Sequence, residues 1–256
     1  MNTSPSIRTE NLTIRFGGHA AVNNVTCAFH PGELTVIVGP NGAGKTTWFN
    51  LVSGQLRPTS GRIFLGEKEI SALSPSDRAK AGIGRAFQLT NLFPKLTVFE
   101  NVRLAVQARA RQGHRMFARA GSLKGLAGKA MNYLEQTNLA ALADLPASAL
   151  PHGDQRKLEV AMLLAMEPDI FMFDEPTAGM SVDEAPVILD LIAQIKKDTT
   201  RTVLLVEHKM DVVRALADRI VVLHNGELVA DGDPGEVMAL DLVRDIYLGV
   251  GAEEVA

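Results

Sequence analysis

Leu34-Thr-Val-Ile-Val-Gly-Pro-Asn-Gly-Ala-Gly-Lys-Thr-Thr-Trp-Phe-Asn50 is the stretch of this 256-residue chain that decides its fold. Five apolar or β-branched residues, Leu34–Val38, have the length and composition of a buried strand. They run into Gly39-Pro40-Asn41-Gly42-Ala43-Gly44-Lys45-Thr46-Thr47, which satisfies the spacing G-x-x-x-x-G-K-[ST]. A helix is predicted to begin near Lys45. Strand, glycine loop and helix in that order make a cradle for phosphate: the glycines let backbone N–H groups turn inward, and the helix N-terminus adds positive potential. Lys45 then reaches the terminal phosphates, and the Thr46 hydroxyl suits a hard cation such as Mg²⁺.

Moving outward, the runs Ile170–Asp174, Thr202–Val206 and residues 220–223 also read as short strands between amphipathic segments. That alternation predicts an α/β fold with a largely parallel core sheet. Residues 7–29 carry strand-like pieces broken by Gly17-Gly18 and predict an antiparallel region. Between 97 and 138 the β-branched runs give way to Ala, Arg, Leu and Gln, which predicts helices over 97–111 and 126–136 joined by a Gly-containing loop. We therefore expect one domain over 1–256, with a catalytic core formed by 1–88 and 156–256. Residues 89–155 form an inserted helical lobe, and 251–256 a frayed tail.

Bulk composition excludes several classes. With 46% hydrophobic and 21% charged residues the chain is globular rather than disordered. The net charge of −3 gives no global reason for a nucleic-acid partner. Cys27 is the single cysteine, so no internal disulfide is possible, and a reducing compartment fits. The N-terminus does not read as a secretory signal, and no apolar run approaches the ~20 residues of a spanning helix, so a membrane role would be peripheral.

A phosphate loop alone leaves kinases, GTPases, helicases, motors and transporter ATPases open. Ile170-Phe-Met-Phe-Asp-Glu175 narrows the choice, because an apolar strand ending in two acids places Asp174 to hold Mg²⁺ through water and Glu175 to orient or deprotonate an attacking water. Asp-Glu-Pro is also a plausible strand-to-loop exit; the phosphate loop upstream decides for the catalytic reading.

With further segments in the same order, the chain resembles the ABC ATPase family. Gln88, closing Ile83-Gly-Arg-Ala-Phe-Gln, looks like the family's Q-loop glutamine, which links Mg²⁺ and the attacking water to the helical lobe. Asp174-Glu-Pro-Thr-Ala-Gly-Met-Ser181 looks like the second acidic motif and the following D-loop. His208, in Leu205-Val-Glu-His-Lys209, looks like the switch histidine at the γ-phosphate, and Phe16, 23 residues before Gly39, like the aromatic that stacks on adenine. Taken singly, His208 would be a surface or capping residue and Phe16 a core ring.

The family's LSGGQ signature is replaced by Leu150-Pro151-His152-Gly153-Asp154, followed by Gln155. Pro151 removes one hydroxyl and one N–H that would face a partner's γ-phosphate, a loss of roughly 1.5–3 kcal/mol for a charge-assisted bond. A proline is tolerated in a first helical turn, so the helix end should survive. His152 either replaces part of the contact or is simply exposed; the Gly153 N–H is the expected donor.

Between Glu100 and Glu135 stand seven basic residues (Arg103, Arg109, Arg111, Arg115, Arg119, Lys124, Lys129) and no acid. A solvated helical face, a surface held near anionic headgroups or an acidic permease loop, and a nucleic-acid groove are the three readings; the last lacks interleaved stacking rings.

The resemblance implies a P-loop NTPase with a RecA-like core and ATP and Mg²⁺ as cofactors. It implies a second ATPase subunit, identical or paralogous, closing each site with Pro151 to Gln155, and integral permease subunits docked near Gln88 to Glu100. The insertion after Gln88, Glu-His-Lys209 and Leu158-Glu-Val-Ala-Met-Leu-Leu164 look most like the larger ATPase of branched-chain amino acid importers. A solute-binding protein would act indirectly, and the chain would sit on the cytoplasmic face of the membrane. Lipid or lipopolysaccharide exporters, importers of urea, amides or aromatic acids, and non-transport relatives acting on nucleic acid share this engine.

Overall fold

The computed structural model describes residues 6–86, 92–110, 120–180 and 184–246, the side chains of 120–124 excepted. In chain order these carry strands β1 (Ile7–Phe16), β2 (His19–Phe29) and β3 (Leu34–Val38), helix α1 (Lys45–Ser53), strands β4 (Ser60–Leu65) and β5 (Lys68–Glu69), helix α2 (Pro75–Lys80) and strand β6 (Ile83–Ala86). Helices α3 (Val98–Arg109), α4 (Ala120–Gln136) and α5 (His152–Ala165) follow, then β7 (Ile170–Asp174) and α6 (Ala185–Lys196). The chain continues through β8 (Thr202–Val206), α7 (Met210–Leu216), β9 (Arg219–His224), β10 (Glu227–Gly232) and α8 (Pro234–Ala239). One compact unit comprises Met1–Ile83, Asp169–Glu175 and Ile195–Ala256, the other Gly84–Pro168 and Pro176–Gln194.

The strands form two sheets. The order β2-β1-β4-β5 is antiparallel throughout, including the hairpin expected over 7–29. The larger sheet runs β10-β9-β3-β8-β7-β6, with β3 parallel to both β8 and β9, β7 parallel to β8, and β10 returning antiparallel on β9. Every residue of β3, β7 and β8 is buried. That is why these strands read as continuous apolar runs rather than alternations: a central parallel strand is covered on both faces. The β1 register slips between Thr9 and Leu12, where Asn11 takes φ 48°, a left-handed conformation that asparagine tolerates better than a branched residue.

The core of the first unit joins both sheets to α1. Trp48 is 1% exposed, its ring 5.3 Å from that of Phe29 and 5.9 Å from that of Phe49, in a core that also holds Ile37, Met172 and Leu204. The fully buried Arg78 of α2 donates to the carbonyls of Leu51 and Val52 at the end of α1 and of Ser71 and Leu73. Desolvation pushes its guanidinium pKa down to about 10, so it stays cationic at neutral pH.

In the second unit, α3, α4 and α5 pack through Val98, Val102, Ala130, Leu134, Leu158 and Ala161. Thr97 is the cap rather than the first residue of α3, and forms a reciprocal capping box with Glu100. Buried Asn101 holds the preceding turn by accepting from the Phe93 N–H and donating to the Phe93 and Thr97 carbonyls. Helix α4 begins six residues before the 126–136 helix expected from the sequence. Residues 112–119 of the Gly-containing connection lie outside the described residues, as do Arg111, the Lys124 side chain and the tail 251–256, and with that connection Arg115 and Arg119. Of the described basic residues, Arg109 and Lys129 are more than half exposed and lie within 4.0 Å of Glu167. Among the described residues no helix is long and apolar enough to cross a membrane.

Candidate functional site

Backbone geometry shapes the phosphate loop. Gly39, Gly42 and Gly44 hold φ of 147°, 78° and 98°, values that L side chains rarely adopt. Close approach adds to this at two of them: a Cβ on Gly39 would meet the Leu223 carbonyl oxygen, and one on Gly44 the Ala21 carbonyl oxygen. The loop is thereby seated between β2 and the β9–β10 turn, where the Gly226 N–H donates to Ala43 O at 3.0 Å and the Asn23 N–H to Gly226 O at 2.8 Å. Gly44 is also the left-handed N-cap of α1, and no side chain caps that end. The first-turn amides of Lys45, Thr46 and Thr47 therefore stand at an N-terminus suited to an anion.

Lys45 Nζ folds onto the loop, donating to Gly39 O at 2.7 Å and Pro40 O at 2.9 Å. Burial lowers its pKa below the usual lysine range, and the carboxylates of Glu175 and then Asp174 act in the opposite direction. Strands β3, β8 and β7 lie side by side and bring the acids into electrostatic range of this lysine although some 130 residues separate them in sequence. Asp174 is 3% exposed at the end of β7, paired in register with Val206. Glu175 is the next residue. Its N–H donates to Val206 O at 3.0 Å, and its φ of 50° bends the chain out of the strand, a strain commonly held at functional positions.

His208 follows β8 as Glu175 follows β7, so adjacent parallel strands place the two together: His208 Nδ1 is 3.9 Å from Glu175 Oε1. Glu207, assigned no role from the sequence, is 1% exposed, and its Oε2 accepts the His208 N–H at 2.8 Å. A charged residue between an unbroken apolar strand and a candidate site histidine was the available signal. Phe16 ends β1 opposite His19 and is 53% exposed, an accessible ring rather than a core one.

The signature segment belongs to the second unit. Helix α5 starts at His152 with Pro151 as N-cap, so the helix end survives the proline. The Gln155 N–H donates to Pro151 O at 3.0 Å and Gln155 Nε2 to Leu150 O at 2.9 Å, while Asp154 pairs with Lys157 at 2.8 Å. His152 is exposed, and its Nε2 lies 3.4 Å from where a Gly179 Cβ would stand. Gly153 is buried beneath the Glu184 carboxylate, which would collide with any Cβ there. Gln88 lies outside the described residues, as does Ser181.

Asp174 at the end of β7 and Thr46 at the start of α1 carry hard oxygen donors of the kind Mg²⁺ prefers when substrate phosphates and water complete its shell, and these two residues would hold it. The arrangement of a phosphate cradle, a lysine, two acids and a histidine suits attack of water on a terminal phosphate.

The ABC transporter family model matches residues 22–178. The high-affinity branched-chain amino acid transport ATP-binding protein LivG of Escherichia coli K12 is 37% identical over 254 residues, 96% of this chain and 99% of its own length. BraF of Pseudomonas aeruginosa, of the same description, is also 37% identical, over 96% and 98%. Among solved structures, the ADP conformation of an ATP-binding cassette of an ABC transporter matches with a TM-score of 0.81 and 30% identity, covering 96% of this chain and all of that one. A dimeric cassette in a post-hydrolysis state with ADP and Pi matches at 0.76 and 26% identity, covering 89% and 98%.

Proposed function

Because this chain belongs to the ABC transporter family as an ATP-binding cassette with the P-loop NTPase fold, we propose that it is one of two ATPase subunits powering uptake of branched-chain or other hydrophobic amino acids. The observation that carries the enzymatic part is that Glu175 and Asp174 stand in electrostatic range of the phosphate-loop Lys45, with His208 beside Glu175. Near full-length similarity to LivG and BraF supports the choice of cargo.

On this reading the amides of Gly42 to Thr47 hold the β- and γ-phosphates, and Lys45 exchanges its two loop carbonyls for phosphate oxygens. Thr46, Asp174 and Gln88 would hold Mg²⁺, which supplies charge neutralisation between the phosphates. Glu175 orients the attacking water and accepts its proton, and His208 acts beside it at the γ-phosphate. The Phe16 ring stacks on adenine. Two cassettes meet head to tail, so that Pro151 to Gln155 of each covers the other's nucleotide, and permease subunits dock on the segment from Gln88 to Glu100 at the cytoplasmic face of the membrane. A solute-binding protein loads the permease from the other side.

Trp48 is the only tryptophan in the chain and sits in α1, directly beyond the loop, which makes its emission a reporter of occupancy. Wild type should show a saturable change with MgATP and Lys45→Ala none. Glu175→Gln should bind like wild type while turnover falls by about 10²–10⁴. Unchanged hydrolysis in Glu175→Gln would remove the proposed base. The cargo assignment is tested by reconstituting the complex with its permease and binding protein, where a branched-chain amino acid should stimulate hydrolysis and urea should not.

A further inference from the structure

The chain leaves the apolar strand β8 through Glu207, and that carboxyl stays almost wholly out of water, at 1% exposed. A buried carboxylate is costly unless it is held. Part of what holds it is local backbone: Glu207 Oε2 accepts the His208 N–H at 2.8 Å and faces the Lys209 N–H at 3.4 Å. The same oxygen stands 3.6 Å from His208 Nδ1, and Glu175 Oε1 stands 3.9 Å from that same ring nitrogen. Both separations exceed direct hydrogen-bond length, so their action on the ring is electrostatic. Two carboxylates on one side of a neutral imidazole favour its hydrogen on the nitrogen they face. More than half of the His208 side chain is exposed, so the ring depends on such neighbours for a defined state.

We propose that Glu207 is a positioning residue for the hydrolytic step: tied to the backbone, it keeps His208 in the Nδ1–H form beside Glu175. Nε2 then becomes the ring's acceptor, suited to a hydrogen bond from the water that attacks the terminal phosphate. This role rests on the ATPase reading above, whereas the tautomer itself is a property of the free protein. Glu175 alone could not set the ring in this way throughout turnover, because its carboxylate is committed to the water. Glu207 is shielded from solvent and tied to the backbone at the His208 N–H.

The test uses full-length protein labelled with ¹⁵N in its histidine rings, at about pH 8.5, where imidazoles are neutral. His208 is assigned by the signals lost in His208→Gln. Wild type should show His208 with a protonated Nδ1 and an unprotonated Nε2. Glu207→Gln, which preserves size and an acceptor for the backbone amides, should move the ring toward the Nε2–H form. It should also lower kcat by about 10–100-fold with KM for ATP within about two-fold, the usual effect of removing a supporting carboxylate. Glu207→Asp should recover part of both. A wild-type His208 in the Nε2–H form would overturn the proposal, as would a tautomer unchanged in Glu207→Gln. A fall in thermal midpoint with kcat and KM altered together and the ring unaffected would assign Glu207 a structural role instead. Failure of wild type to bind MgATP in the Trp48 titration would sink the ATPase reading and leave the tautomer result standing.

Discussion

Replacing Arg78 with methionine should loosen the helix that carries the phosphate loop. The substitution keeps most of the aliphatic length but withdraws a guanidinium that donates to Leu51 O at 2.6 Å, Val52 O at 2.7 Å, Ser71 O at 2.9 Å and Leu73 O at 3.2 Å. Leu51 O keeps the Gly54 N–H at 3.2 Å, so the main loss falls on the other three carbonyls. A hydrogen bond from a charged donor contributes about 1.5–3 kcal/mol, which puts the gross loss near 6 kcal/mol. Burying the cation is itself unfavourable, as the guanidinium pKa pushed down to about 10 shows, and methionine escapes that cost. Roughly half the gross loss should survive, a net destabilisation of about 3 kcal/mol, or 6–12 °C in thermal midpoint for a chain of this size. Differential scanning calorimetry reads this directly. Arg78→Lys, with one charged donor group in place of the fork, should fall between the two. MgATP affinity should weaken in the same order, because the end of α1 is what the guanidinium holds. An Arg78→Met protein melting within about 2 °C of wild type would show that these carbonyls find other partners and that Arg78 does not anchor α1.

Further outcomes follow from the same geometry. Gly39→Ala drives a methyl group against a backbone carbonyl at φ 147°, so it should cost about 2–4 kcal/mol and abolish nucleotide binding by calorimetric titration. Gly153→Ala meets only the end of the flexible Glu184 side chain, so its thermal midpoint should move far less than that of Gly39→Ala. Burial raises the Cys27 thiol from 9.0 to about 12, so the folded state keeps a proton that the unfolded chain has already released in that range. The associated stability is complete below pH 9 and is lost at about 1.4 kcal/mol per pH unit as pH climbs toward 12. Urea titrations of Cys27→Ala should lack that component, and a maleimide should label Cys27 only in unfolded protein.

The nucleotide end of this protein was legible in its sequence because its chemistry is local. The Gly39 to Thr47 loop needs a strand before it, a helix after it and glycines where φ is positive, all within one short run of residues. The strands Ile170–Asp174 and Thr202–Val206 were legible for a related reason: burial on both faces leaves an unbroken apolar run with the functional residues at its end. Helix ends were less so. Thr97 proved to be a cap, and α4 starts six residues early, since propensity changes gradually where capping geometry is abrupt.

What only the tertiary structure decided are relations between residues distant in sequence. Parallel pairing of β7 with β8 brings Glu175 to His208 and leaves Glu207 buried beside them, a relation that the letters Glu-His-Lys do not contain. The Arg78 guanidinium finds its carbonyl partners only because α2 folds against the end of α1. Gly153 looks like an open donor until the Glu184 carboxylate is found above it. A motif records what the backbone must do over a few residues. Which charge is buried, and which nitrogen faces a carboxylate, depends on strand order and packing, and these arise only when separated segments share one core.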